Sequence, residues 1–156
     1  MKLKNKYGTM YDQALDIVKD MGLAPKPSSE GSPMYVFEYR GETVFLDAGE
    51  GRNEIDLMCP IYISGTETEQ KRLLEDARDM AEDDLNDFYV HYIGHNLAYI
   101  ALFIQIKKTR NKLYKKHLLV MLDKLLEGYT TIMTAISFVL YTQSPEFIAS
   151  ITDDKN

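Results

Sequence analysis

Near the start of the chain, apolar residues recur at steps of three and four: Tyr7, Tyr11, Ala14, Leu15, Val18 and Met21. That spacing places them on one stripe of an α-helix. Thr9 and Asp12 form a capping pair, and Gly22 suits the C′ position. Pro25 to Pro33 holds three prolines and Gly31 and reads as loop. The period then shortens to two. Met34 to Tyr39 and Thr43 to Asp47 are rich in aromatic and β-branched residues and flank the tight connection Arg40-Gly41-Glu42. Glu54 to Ser64 alternates Ile55, Leu57, Cys59, Ile61 and Ile63 against Glu54, Asp56, Met58, Pro60 and Tyr62, so helices cover one face of this strand. Pro60 removes a ladder donor, which puts the strand on an edge or gives it a bulge there.

Thr66 and Glu69 make a capping box for a helix through about Leu85, with Leu73, Leu74, Ala77, Met80, Ala81 and Leu85 as its apolar stripe. Phe88 to Ile93 and Leu97 to Ile106 read as two strands joined by Gly94-His95-Asn96. The final helix starts near Thr109 and runs to about Thr142, with two covered faces after Val120. Gly128 marks a bend or a close contact in it. The predicted order α-β-β-β-α-β-β-α defines an α+β fold, an antiparallel sheet of about five strands with helices packed on it. Residues 1–143 form one domain and residues 144–156 a C-terminal tail.

A chain of 156 residues is long enough to bury a core, and 45% hydrophobic with 27% charged residues is ordinary globular composition. One cysteine, Cys59, gives no intramolecular disulfide, and the N-terminus does not read as a signal peptide. Gly128 to Pro145 falls just short of a membrane span. These features predict a cytoplasmic protein. The net charge of -6 is uneven: -3 over residues 1–65, -6 over residues 66–96 and +3 over residues 97–156. A nucleic-acid domain needs a dominant basic face, which this distribution lacks.

Several groupings invite chemistry. Asp87, His91 and His95 lie four apart and on a helix would share one face, near Asp83 or Asp84, as divalent-metal ligands. The aromatic and β-branched residues between them favour a hairpin with solvated histidines, so no metal site is assigned. Glu75, Asp76, Asp79, Glu82, Asp83, Asp84 and Asp87 lack calcium-loop spacing and a cleft, and Arg72 and Arg78 sit within ion-pairing reach. They read as a solvated helix face. Lys107, Lys108, Arg110, Lys112, Lys115 and Lys116 cluster before the last helix, suited to the acidic helix of this chain or of a second copy. No G-x-S-x-G, Walker A or G-x-G-x-x-G motif occurs, and Cys59 precedes Pro60 in an apolar strand, so no catalytic residue and no cofactor is assigned.

The element order over about residues 7–142 resembles the secretion-chaperone-like fold of class I type III secretion chaperones and of the YbjN-like family of bacterial sensory-transduction regulators. The resemblance implies a homodimer that binds other proteins rather than turning over a substrate. The reading is therefore a non-enzymatic protein-binding module, a chaperone-like or regulatory adaptor with a protein partner, no nucleic acid and no membrane. Tyr35, Phe37, Tyr39, Phe88, Tyr92, Tyr129, Ile132 and Ile136 are its candidate partner-binding residues, with Tyr89, Tyr99 and an exposed strand edge beside them. Two alternatives are a metal-binding protein or enzyme using Asp87, His91 and His95, and a structural subunit docking through its C-terminal helix.

Overall fold

The computed structural model describes residues 8–105 and 112–153, with the side chains of Tyr99, Leu102, Phe103, Ile104 and Asp153 outside that description. Helix α1 (Met10–Asp20) opens on Thr9, whose Oγ1 accepts from the Asp12 amide at 3.1 Å, and closes on Gly22 at φ 77°. Strand β1 (Lys26–Pro27) is a short addition inside the segment read as loop. Strands β2 (Tyr35–Tyr39), β3 (Glu42–Ala48) and β4 (Glu54–Tyr62) form a meander. Arg40 and Gly41 turn between β2 and β3 with both φ angles positive, the geometry that a two-residue hairpin requires. Helix α2 (Glu67–Met80) carries the reciprocal Thr66–Glu69 box and passes into a 3₁₀ turn, Glu82–Asp84. Strands β5 (Tyr89–Gly94) and β6 (Leu97–Gln105) form the second hairpin around His95 and Asn96, also at positive φ. Helices α3 (Lys115–Thr142) and α4 (Pro145–Asp153) complete the described chain.

The fold is α+β, with six strands rather than about five, in the order β1-β2-β3-β4-β6-β5, each neighbouring pair antiparallel. Residues 145–153, read as tail, are helical. The last long helix begins at Lys115 rather than near Thr109; Tyr7, Ile106, Lys107, Lys108, Thr109 and Arg110 lie outside the described residues.

Pro60 also differs from expectation. Its strand is central, between β3 and β6. The Gly49 amide donates to the Glu54 carbonyl, so even-numbered residues of β4 turn their backbone groups toward β3 and odd-numbered ones toward β6. Pairing of β3 with β4 stops at Met58, whereas β4 stays paired with β6 through Tyr62. The missing N–H of Pro60 therefore falls on the side where the ladder has already ended, and a central strand tolerates it.

One core lies between the sheet and the helices. Phe37, Tyr39, Val44, Leu46, Ile55, Leu57, Cys59, Ile61, Val90, Ala98 and Ile100 meet Met10, Ala14, Val18, Leu73, Leu74, Leu118, Leu122 and Ile132. These strand positions share one parity in register, so all face the same side. Among the described residues, no helix crosses the other side.

Candidate interaction surface

The uncovered face of the sheet is apolar over much of its area. Met34, Phe45, Met58, Pro60, Tyr62, Ile93 and Leu97 line a groove of about 140 Å³ with almost no polar surface. It opens where β3 and β4 part company, beside Pro60, and the end of β5 and the start of β6 supply Ile93 and Leu97 to its far wall. Tyr62 is 73% exposed and Ile93 53%, values a core position would not show.

At the other end of the same face the surface turns acidic. Asp56 lies directly across from Asp47, and its Oδ1 is buried without a hydrogen-bond partner among the described residues. Burial above all, then Asp47, Glu54 and Glu50, raises its carboxyl to about 6. On the covered side, burial pushes the Cys59 thiol up to about 12, which leaves it un-ionised and inert at neutral pH.

The structure separates the eight residues predicted to bind a partner. Phe37, Tyr39, Ile132 and Ile136 are buried in the core, where a partner reaches them only by opening the fold. Tyr39 also donates its hydroxyl to Asp123 on α3 at 2.6 Å, and burial followed by this bond raises its phenol. Asp123 meets Arg40 at 3.2 Å as well, tying the first hairpin to α3. Tyr35 rests 6.4 Å from Tyr11, centroid to centroid. Phe88 packs over Gly128, and Tyr129 is half-buried. Tyr92 donates to Gln70 at 2.6 Å, and Gln70 in turn donates to the Gly65 carbonyl and to Asn96, so the β5–β6 turn is anchored to α2 through one buried amide. Of the neighbouring aromatics, Tyr89 is exposed and stacks on His91, while the Tyr99 side chain lies outside the described ones.

The one-face arrangement of Asp87, His91 and His95 required a helix, and this segment is a loop, a strand and a turn. Asp87 pairs with Lys124 at 2.8 Å, and among the described residues no group of three His, Cys, Asp or Glu is placed to hold a metal ion. Of the basic cluster, Lys112, Lys115 and Lys116 are described; Lys112 lies 5.1 Å from the Tyr114 ring centroid, and none of the ion pairs among the described residues joins Lys115 or Lys116 to α2.

The groove residues were legible only in part. Alternation in β4 does put Met58, Pro60 and Tyr62 on the face opposite the core. Phe45 and Leu97 join them through cross-strand register, and Ile93 through the register shift between Tyr92 and Gly94, which no local pattern encodes.

Taken together, these features define the molecule as a one-layer antiparallel sheet with helices on one side and an open apolar face on the other. No family model and no curated protein matches the chain. Among solved structures it is similar to an uncharacterized protein from Methanothermobacter thermautotrophicus, at 15% identity and a TM-score of 0.52, over 81% of this chain and 95% of that one. At that identity the likeness is one of fold. No helix among the described residues is long and apolar enough to cross a membrane.

Proposed function

We propose that this protein is a non-enzymatic protein-binding module, a chaperone-like or regulatory adaptor, and that its open sheet face is the binding surface. The groove lined by Met58, Tyr62, Ile93 and their neighbours carries the reading. Contiguous exposed apolar surface is costly in water, and proteins that retain it use it for contact. A second copy of the chain is the first partner to test, because a homodimer would cover both open faces at once.

Light scattering on the purified chain and on Tyr62→Glu and Ile93→Lys provides the test. Both residues are exposed, so their replacement leaves the core untouched. The expected result is a dimer for the parent and a monomer for each variant, with unchanged circular dichroism. A monomeric parent that captures the same lysate proteins as both variants would sink the reading.

A second reading, a structural subunit docking through its C-terminal helices, is supported by exposed Phe138, Leu140, Tyr141, Ile148 and Ile151. Tyr141→Ser in the same experiment separates the two surfaces.

A further inference from the structure

The outer edge of β5 borders a slot whose far wall is α2. Register decides which way the backbone of that edge points. Odd-numbered residues of β4 face β6, so the even-numbered residues of β6 opposite them face β4 and the odd-numbered ones face β5. His91 is opposite Tyr99 and faces inward, which leaves Val90 and Tyr92 presenting their N–H and C=O groups to the slot. The Arg78 guanidinium shows the same direction, donating to the Val90 carbonyl at 3.3 Å. It occupies the place that the amide of a next strand would take.

Two cavities, of about 190 and 240 Å³, meet at Arg78 and Val90 and run along this edge. Leu74, Leu85 and Val90 make an apolar floor. Glu75, Asp79 and Glu82 stand on the rim, and none of the ion pairs among the described residues involves them. The cations of the slot are engaged, Arg78 with the Val90 carbonyl and Lys71 with Glu67 and the Tyr92 ring. The slot thus combines unbalanced negative charge with a strand edge that no neighbouring strand pairs among the described residues.

We propose that the slot takes an extended, basic segment of a partner protein as a seventh strand on β5. The proposal rests on the protein-binding reading above and adds to the open-face contact a different partner of stated chemistry. Alternate side chains of the added strand point to opposite faces. Those toward α2 are lysine or arginine, whose stems lie on Leu74 and Val90 while their charged ends reach the rim carboxylates. Those on the other side are β-branched and extend the open apolar face past Tyr89 and Ile93. The incoming amide replaces Arg78 at the Val90 carbonyl, and the released guanidinium sits one helical turn from Glu75 and Glu82. A second copy of this chain does not fit the slot, because edge-to-edge pairing brings two α2 segments together. Residues 66–96 carry 9 acidic and 3 basic groups, so the two would repel.

The test uses the full chain and a fluorescein-labelled peptide of alternating lysine and valine, read by anisotropy. Saturable binding is expected, weakened by salt, with slowed exchange of the Val90 and Tyr92 amides. A glutamate–valine peptide, a lysine–valine peptide N-methylated at alternate amides, and the variant Glu75→Lys/Glu82→Lys should each bind at least about tenfold more weakly. Equal binding of the glutamate or N-methylated peptide, or unchanged exchange at Val90 and Tyr92, would overturn the slot. Val120→Ser, exposed on α3 and outside both the slot and the groove, should leave peptide affinity within about twofold. If the slot fails while Tyr62→Glu still abolishes contact through the open face, only this proposal falls.

Discussion

Asp56 occupies a position where the physics of a strand and the physics of a carboxylate disagree. It sits between β3 and β6 on the open face, with Asp47 directly opposite, Glu54 two residues along and Glu50 in the preceding turn. Burial and then these three carboxylates raise its pKa from 3.8 to about 6. The native chain therefore holds a proton that the unfolded chain releases, and the sign follows. The penalty is absent below about pH 4, grows between about 4 and 6, and is fully present above that. Asp56→Asn removes it. At a partly exposed site screened by water the gain is about 1 kcal/mol at pH 8, and none at pH 4. Urea midpoints of the parent and Asp56→Asn at the two pH values check this; an equal shift at both would contradict the assignment. The sequence shows Asp56 on the polar side of its strand. Its pairing with Asp47 depends on the turn between β3 and β4, and is visible only in the fold.

At the scale of elements, Gly128 illustrates how much of a contact a sequence can carry. A glycine inside a long apolar helix implies a close approach, and α3 does approach something closely. That partner is Phe88, forty positions away in sequence, at the entrance to β5. A Cβ on residue 128 would stand 2.5 Å from the ring. Gly128→Ala should gain about 1 kcal/mol of helix propensity and lose more by displacing the ring, overpacking costing about 1–3 kcal/mol. Net destabilisation is expected. In a Phe88→Ala background the same substitution should become stabilising, because the obstacle is gone. A double-mutant cycle measured by chemical denaturation reads that change of sign, and its absence would show that the ring does not set the cost.

The same limit applies to the residues predicted to bind a partner. Periodicity tells which side chains share a face, so Tyr35, Phe37 and Tyr39 group together correctly, as do Ile132 and Ile136. It does not tell which of two apolar faces receives the helices. In β2 only Glu38 marks a polar side, and the covered face turned out to hold the aromatics. Apart from β1 and the helix α4 in the segment read as tail, the element order, both capping pairs and both hairpin turns were legible, since each is fixed within a few residues. The two-residue β1 was not, because two ladder positions leave no pattern.

For the whole molecule, the decisive joint is β4 against β6. The meander through Tyr62 and the hairpin from Tyr89 to Gln105 are each local, and this one ladder closes the sheet across α2. Such a joint has a consequence for synthesis. The β6-facing edge of β4, bearing Ile55, Leu57, Cys59 and Ile61, leaves the ribosome well before the strand that will cover it. Roughly 40 residues separate the end of β4 from the end of β6, which at ~5–20 residues per second is about 2 to 8 seconds of translation. Ribosome-stalled chains with β6 still enclosed should remain protease-sensitive, and those with β6 emerged should become resistant. Early resistance would mean that the meander and α1 hold together unaided. Otherwise the nascent chain spends those seconds with the inner edge of β4 unpaired, and the interval of greatest aggregation hazard is set by where β6 falls in the reading frame.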